Sequence, residues 1–112
     1  MSQRFAFQVE LLPNKVDDYV ALHREVWPEV ERKFHEVGVR SLSLFLQGTT
    51  LFMVMEYVGS QPFAAALAEY AADPKIQEWE AVNRTFKRPT AEGSAATGFT
   101  SMQEIYRLPP PN

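Results

Sequence analysis

Every second residue from Phe5 to Leu11 is apolar, which is the period of a strand that buries one of its faces. After Pro13-Asn14 the period changes. The apolar positions, together with His23, now recur at intervals of three and four, as they do on the buried face of an amphipathic helix, and we call this set the stripe. These positions are Val16, Val20, His23, Trp27, Val30, Phe34 and Val37.

Pro28 interrupts this helical pattern. Proline has no N–H for the carbonyl of Arg24, four residues earlier, and it pushes the preceding Trp27 away from helical dihedral angles. We therefore expect two helical pieces that meet near Trp27. Gly38 follows the last stripe position and is a natural C-terminal cap for the second piece.

The middle of the chain has the pattern of a hairpin. Leu42, Leu44 and Leu46 alternate with other residues, and a turn at Gly48 leads into the run from Leu51 to Tyr57, which is apolar on both faces. One layer of helices cannot cover both faces of a strand. A twofold partner is the economical cover for the second face, because C2 dimers are the commonest closed assemblies.

Two short helices are predicted next. Ser60 is placed to cap the first, an alanine-rich segment over 63–72, and Asp73-Pro74 starts the second. The second has its stripe at Ile76, Trp79, Val82, Asn83 and Phe86. Residues 87–101 lack any period and predict a long loop of a kind that is often functional. Residues 102–108 are predicted to close the sheet as a last strand.

The order β-α-β-β-α-β predicts an α+β fold of the ferredoxin-like class. This fold is a sandwich with a four-stranded antiparallel sheet and helices on one face. A chain of 112 residues suits one packed core, so we expect a single domain over 1–112. With a twofold partner, two such sheets would form a dimeric α+β barrel.

Composition excludes several classes of protein. The net charge of −3 offers no basic field for nucleic acid. The absence of cysteine removes disulfides and thiolate sites, and is compatible with a reducing cytoplasm. No apolar run approaches the length of a membrane span, and the N-terminus lacks the apolar core of a signal peptide. We expect a cytoplasmic protein without a nucleic-acid or membrane partner.

His23 is the main candidate for chemistry. Tyr19, His23 and Trp27 stand four residues apart and would share one helix face. An imidazole can transfer protons near neutral pH, but spacing alone favours a core histidine whose ring is hydrogen-bonded. Tyr19 would orient that ring or bind a substrate hydroxyl, or it is an ordinary tyrosine at a helix edge.

Other candidates are weaker. Trp79 is either a core residue or a platform for a sugar ring in a polar pocket. Arg4, Glu56 and Glu104 could support catalysis, although each is also explained as a solvated residue at the end or edge of a strand. Because the chain has no glycine-rich phosphate loop, no Gly-x-Ser-x-Gly elbow and no Cys/His cluster, we expect neither a metal nor another cofactor.

Several segments together resemble the L-rhamnose mutarotase family, in order along nearly the whole chain. They are Arg4-x-Ala6-Phe7, Tyr19-x-x-x-His23-x-x-x-Trp27-Pro28-Glu29, Gly38, Pro74-x-x-Gln77-x-Trp79 and Gln103-Glu104-Ile105-Tyr106. The resemblance implies a ferredoxin-like homodimer that interconverts the α and β anomers of a deoxy sugar without a cofactor. It also implies that His23 is the proton donor and that Tyr19 and Trp79 line the sugar site.

The chain also departs from the family's pattern. Leu42 stands where the family often has a tyrosine, Glu80 where it often has a second tryptophan, and Arg24 where Asp or Asn is common. By position, Leu42 and Glu80 should lie in the substrate site and alter the choice of sugar among L-rhamnose, L-fucose and related deoxy hexoses.

A competing class would use the same cavity and the same histidine. It comprises cofactor-free monooxygenases and non-catalytic small-molecule binders built as dimeric ferredoxin-like barrels, with an aromatic or polyketide ligand. Leu42 favours this alternative, whereas the His-Trp-Pro block favours the sugar.

Overall fold

The computed structural model of the protein describes residues 2–90, 93 and 97–111. In this part of the chain the strands are β1 (Gln3–Glu10), β2 (Val39–Gln47), β3 (Thr50–Tyr57) and β4 (Thr100–Met102). The α-helices are α1 (Val16–Leu22), α2 (Pro28–Val37), α3 (Phe63–Ala72) and α4 (Pro74–Arg84). Short 3-10 turns at Pro13–Lys15 and His23–Glu25 flank α1. None of the helices in these residues is long and apolar enough to span a bilayer.

The four strands form one antiparallel sheet in the order β2-β3-β1-β4. One crossover, α1 and α2, joins β1 to β2, and the other, α3 and α4, joins β3 to β4. This is the ferredoxin-like arrangement, so the fold class predicted from the sequence is confirmed.

The first crossover is broken where Pro28 requires it. After α1 the chain passes through the 3-10 turn His23–Glu25, and Trp27 adopts extended dihedral angles with φ −59° and ψ 131°. The next helix starts at Pro28 and ends at Gly38, which has φ 107°. Both the break and the glycine cap were predicted.

The core lies between the helices and one face of the sheet. Strand residues on this face are buried, with Val9, Leu51 and Met55 each at most 5% exposed. The register pairs Phe7 and Leu44 with Met53, so side chains from three strands meet the helices on the same side. This helix-facing side of the sheet also forms a wall of the cavity described below.

The opposite side of the sheet has apolar side chains that no helix covers. We call it the open sheet face; its apolar members are Ala6, Phe45, Phe52, Val54 and Met102, which are register partners across the strands. Phe45 is 59% exposed, Val54 37% and Met102 44%. The second apolar face expected for the central strand is therefore present and lacks a cover within the described chain.

Two local predictions were wrong. Ser60 does not cap α3, whose N-cap residue is Pro62 and which has no side-chain cap. Pro62 itself occupies the N-cap position, with φ −56° and ψ 141°, so Ser60 lies two residues before the position from which a side chain caps the first turn.

By contrast, Asp73 caps α4 as predicted, since its Oδ1 accepts from the backbone N–H groups of Lys75 at 2.8 Å and Ile76 at 3.3 Å.

The last strand is also shorter and earlier than predicted. β4 covers only Thr100–Met102, and residues 103–111 have no regular structure. Ile105 is 90% exposed, so nothing within the described chain buries the apolar residues that suggested a strand. Of the predicted loop over 87–101, residues 91, 92 and 94–96 lie outside the described residues.

Gly38 should tolerate a side chain less well than Gly48, the other glycine with a positive φ at the end of an element. A Cβ there would lie 2.8 Å from Gly59 Cα, and its φ is positive. Gly48 also has a positive φ, 62°, but nothing lies within 4 Å of its Cβ position. We expect Gly48→Ala to lose ~1–2 kcal/mol of unfolding free energy from backbone strain, and Gly38→Ala to lose clearly more. Urea unfolding of both variants tests this, and equal losses would contradict it.

Candidate active site

A cavity of about 780 Å³ lies between the helix-facing side of the sheet and the two crossovers. Its sheet wall is mostly apolar and includes Leu42, Leu44 and Met53, with Arg40 and Ser41 at the edge, while its helix wall includes His23 and Glu80. Lining residues that are exposed belong largely to the first crossover and to the edge strand β2, so the cavity opens on that side. A volume of this size suits a small-molecule ligand.

His23 lies in the 3-10 turn that follows α1, with its ring fixed in one orientation. Its Nδ1 is 2.9 Å from the carbonyl oxygen of Tyr19. A carbonyl can only accept, so Nδ1 carries the proton in the neutral ring and donates it to this bond. The ring stacks on Tyr19 with centroids 4.1 Å apart and meets the edge of Trp79 at 5.2 Å.

The second ring nitrogen of His23 is available to a ligand. Nε2 has no hydrogen bond within the described chain, where every fully buried side-chain nitrogen and oxygen has a partner. Nε2 must therefore reach the cavity that the ring lines. Burial lowers the pKa of His23; the hydrogen bond to Tyr19 opposes that shift, and the charge of Lys87 adds to it. The neutral ring, with a free lone pair on Nε2, is thereby favoured.

Tyr19 contributes a phenol to the same wall. It is 4% exposed and packs between the His23 ring and the edge of Phe86, whose centroid lies 6.3 Å away. Burial raises the pKa of Tyr19, and the nearby charge of Glu80 raises it further. The phenol therefore stays protonated and is able to donate a hydrogen bond into the cavity.

Trp79 supports the histidine from α4. Its ring meets Trp27 edge-on at 5.1 Å, and the Lys75 ammonium lies 4.9 Å from the Trp27 ring on the other side. Asn83 Nδ2 donates to the carbonyl oxygen of Trp79 at 2.9 Å. Trp79 is 4% exposed, so most of the indole packs in the core and only a small part of it borders the cavity.

Glu80 and Lys87 bring two charged groups into the cavity wall. Glu80 is 7% exposed and Lys87 is 5% exposed. Burial raises the pKa of Glu80 to about 7, against the opposing charges of Lys87 and Arg84. Burial lowers the pKa of Lys87 to about 8, against the charge of Glu80. Lys87 Nζ also donates to the carbonyl oxygen of Thr97 and lies 4.3 Å from the Phe99 ring centroid.

The structure brings most of the sequence-predicted site residues together. Tyr19, His23, Leu42, Trp79 and Glu80 all line the cavity. Leu42 contributes part of the sheet wall from β2, where it packs against the core.

The three supporting candidates lie elsewhere. Arg4 and Glu56 are register partners on the open sheet face, and Glu56 pairs with Arg40 at 3.3 Å. Glu104 follows β4 in the irregular C-terminal segment and pairs with Arg107 at 2.9 Å. Assigning Glu104 to a strand was therefore wrong, and none of these three residues lines the cavity.

Lys87, Asn83 and Tyr70 also line the cavity, although the sequence did not single them out for a site. A signal for one of them was present, because Asn83 follows Glu80 at an interval of three on α4, which places the two on one helical face. Lys87 lies beyond the end of α4. Within the described residues, no group of three or more His, Asp or Glu side chains is arranged to hold a metal ion.

The fold and the cavity define a class: a ferredoxin-like α+β domain with proton-transfer groups on the helix wall of a small-molecule site. A family model described as L-rhamnose mutarotase matches residues 4–108. The chain therefore belongs to the L-rhamnose mutarotase family, as its motifs suggested.

Curated relatives agree with this assignment. The chain is 34% identical over 110 residues to an L-fucose mutarotase of Xanthomonas campestris, a match that covers 95% of this chain and 88% of that protein. It is 27% identical over 109 residues to an L-rhamnose mutarotase of Brucella anthropi, with 96% and 97% of the two chains covered.

Solved structures support the fold. An L-rhamnose mutarotase from Formosa agariphila superposes with a TM-score of 0.73 at 19% identity, over 96% of this chain and 99% of that one. A tetracenomycin F2 cyclase from Streptomyces glaucescens reaches a TM-score of 0.69 at 18% identity, over 97% and 99% of the two chains. One architecture thus hosts different chemistries.

The hydrogen bond from His23 to Tyr19 predicts a tautomer. The neutral ring should carry its proton on Nδ1, because the carbonyl oxygen 2.9 Å away accepts only from a donor. Long-range ¹H–¹⁵N spectra of the folded protein distinguish the protonated from the unprotonated ring nitrogen. The same spectrum in urea is the control, since unfolding removes the contact. A folded-state ring protonated on Nε2 would contradict the geometry.

Proposed function

We propose that this protein is a cofactor-free isomerase that interconverts the α and β anomers of a deoxy hexose, with His23 as the proton donor. The observation that carries the proposal is the His23 ring, with Nδ1 held by Tyr19 and Nε2 facing the cavity. Membership of the L-rhamnose mutarotase family supports the same activity.

The reaction requires only one proton donor and one proton acceptor from the protein. The hemiacetal ring opens when the ring oxygen gains a proton and the anomeric hydroxyl loses one, and the aldehyde then recloses on its other face. General acid–base catalysis contributes on the order of 10²–10⁴ in rate, which is adequate for a reaction that already proceeds in water. In this scheme His23 acts from its imidazolium form: Nε2 gives its proton to the ring oxygen, which leaves the neutral ring protonated on Nδ1, and takes the proton back on reclosure.

Two neighbours of His23 have supporting roles in the proposal. The phenol of Tyr19, kept protonated by burial, donates to a sugar hydroxyl and holds the imidazole by stacking at 4.1 Å. Trp79 keeps the imidazole in place from α4 at 5.2 Å and offers its remaining surface to the C–H face of the sugar.

The candidate sugars come from the curated relatives, and the cavity wall indicates which parts of the sugar are recognised. L-Fucose and L-rhamnose are the first candidates, because they are the sugars of the curated relatives. Leu42 lacks the hydroxyl of the tyrosine common in the family, so the sheet wall recognises apolar surface, and Glu80 supplies a polar group on the opposite wall.

The monooxygenase and binder alternative has less support. An antibiotic biosynthesis monooxygenase has the same fold at a TM-score of 0.58 and 17% identity, which concerns the fold alone. The relatives matched by sequence over nearly the whole chain include two sugar mutarotases.

Replacing His23 with Ala should abolish catalysed anomer exchange and leave the fold intact. Removal of a general acid lowers the rate on the order of 10²–10⁴-fold. Saturation-transfer NMR on L-fucose and on L-rhamnose measures the exchange, and circular dichroism checks the fold.

Exchange at the wild-type rate in His23→Ala would contradict the assignment. Thermal shifts separate the alternatives, because a ligand of the native state raises the melting temperature. Stabilisation by aromatic compounds but by no deoxy hexose would favour the competing class.

We also propose that the protein is a homodimer joined through the open sheet face. Its exposed apolar side chains, Phe45, Val54 and Met102, form the kind of contiguous patch that marks an interface. A second copy offers the same patch, and a twofold axis matches the two faces. The cytoplasmic location expected from the sequence stays a prediction.

A charge in the open sheet face should separate the subunits. Val54→Lys would bury an unpaired ammonium in the dimer, which is strongly unfavourable. Val82→Lys on α4 is a matched control, because Val82 and Val54 are both 37% exposed. We expect sedimentation velocity to give a dimer for the wild type and for Val82→Lys, and a monomer for Val54→Lys. A monomeric wild type, or a dimeric Val54→Lys, would contradict the proposal.

A further inference from the structure

Glu80 is a charged residue in an unusual position. It is 7% exposed, and carboxylates are almost never buried to this extent without a partner. Within the described chain, no hydrogen bond or ion pair engages its carboxylate, yet every fully buried side-chain oxygen there has a partner. The carboxylate oxygens must therefore retain access to the cavity that Glu80 lines.

Glu80 is also close to the other groups of the site. It follows Trp79 directly on α4, and the Trp79 ring lies 5.2 Å from that of His23. Its charge acts on the phenols of Tyr19 and Tyr70, whose pKa values it raises further after burial has raised them. The His23 imidazole and the Glu80 carboxyl group thus belong to the same wall of one cavity.

We propose that Glu80 is the second proton-transfer residue of this site, exchanging a proton with the anomeric hydroxyl while His23 exchanges one with the ring oxygen. The inference rests on the proposed function and assigns the group that receives the anomeric proton. Glu80 stands at a position where the family often has a tryptophan, so this residue is a feature of this chain rather than of the family pattern.

Every proton is accounted for in this scheme. Ring opening starts from protonated His23 and ionised Glu80. It moves the proton of His23 Nε2 to the ring oxygen, breaks the bond between that oxygen and C1, and makes C1 a carbonyl carbon while Glu80 takes the hydroxyl proton. After rotation about the C1–C2 bond, the ring oxygen attacks the other face of C1. Its proton returns to His23 and Glu80 returns a proton to the anomeric oxygen, so both residues recover their starting states.

The electrostatic environment suits this exchange. Burial lowers the pKa of His23 and raises that of Glu80 to about 7. The raised pKa makes the Glu80 carboxylate a stronger base than an ordinary carboxylate, as proton transfer from a hydroxyl group requires. An ordinary surface carboxylate would be too weak a base.

The charged and titratable groups around Glu80 set its range of pH. Lys87 and Arg84 hold its pKa down, whereas Tyr19 and Tyr70 face it as neutral phenols. The two groups must hold one proton between them, so exchange should fall as pH rises above about 7, where the pair loses that proton. Removal of the Lys87 cation raises the pKa of both His23 and Glu80 and moves this decline to higher pH.

Glu80→Gln tests the proposal against Glu78→Gln on the same helix. Glu78 is exposed and pairs with Lys75 at 3.3 Å. With L-fucose and L-rhamnose as probes, we expect Glu78→Gln to exchange anomers at the wild-type rate and Glu80→Gln to be slower by on the order of 10²-fold. Thermal stabilisation by the sugar should persist in Glu80→Gln, and Glu80→Asp should recover part of the rate because it restores a carboxyl group.

Each outcome decides one question. A rate for Glu80→Gln within a few fold of wild type overturns the role of Glu80, as does a loss of rate that is matched by loss of sugar stabilisation. If Glu80→Gln does not fold, the pH profile decides: a decline that stays at the same pH in Lys87→Gln overturns the proposal. Absence of catalysed exchange in the wild type with both sugars overturns the proposed function itself.

Discussion

The geometry of the site depends on the break in the first crossover at Pro28, which has no N–H to donate to the carbonyl of Arg24. Because Pro28 has no N–H, the first crossover cannot run as one helix, and the chain leaves helical geometry through the 3-10 turn at His23–Glu25. The break turns Trp27 toward Trp79, where the rings meet at 5.1 Å, and leaves His23 at the end of α1 with Nδ1 on the Tyr19 carbonyl.

The helix wall keeps polar groups where a stable core would have apolar ones. Glu80 and Lys87 are each less than a tenth exposed, and removing charged groups from water is unfavourable unless they are paired or neutralised. Their pKa values shift toward the neutral forms for this reason. Apolar residues of similar volume would pack there at lower free energy, so the retention of these groups is better explained by chemistry than by stability.

Local patterns predicted most of the fold, because the strands, the broken crossover and the Asp73 cap each depend on residues close in sequence. The length of β4 did not follow from its sequence, since apolar residues such as Ile105 have a strand pattern but no covering surface within the described chain. For the site, spacing singled out His23 and Tyr19 as candidates but favoured a structural histidine, and the family resemblance implied their roles in the site. It could not reveal that Glu80 and Lys87 are buried, because burial depends on the sheet that packs across from α4.

The two departures from the family pattern act on opposite walls of the cavity. Leu42 removes a phenol from the sheet wall, whose polar lining residues, Arg40 and Ser41, are exposed, and Glu80 adds a carboxyl group to the helix wall, which already holds His23. The buried polar groups of the cavity are thereby concentrated on the helix wall. A deoxy hexose divides in the same way, with a methyl group and C–H surfaces set apart from its hydroxyls and ring oxygen. A site that pairs its buried polar groups with substrate hydroxyls discriminates strongly against sugars that leave those groups unpaired. Under the proposed function, selectivity among deoxy hexoses would depend on the helix wall, and the sheet wall would contribute shape.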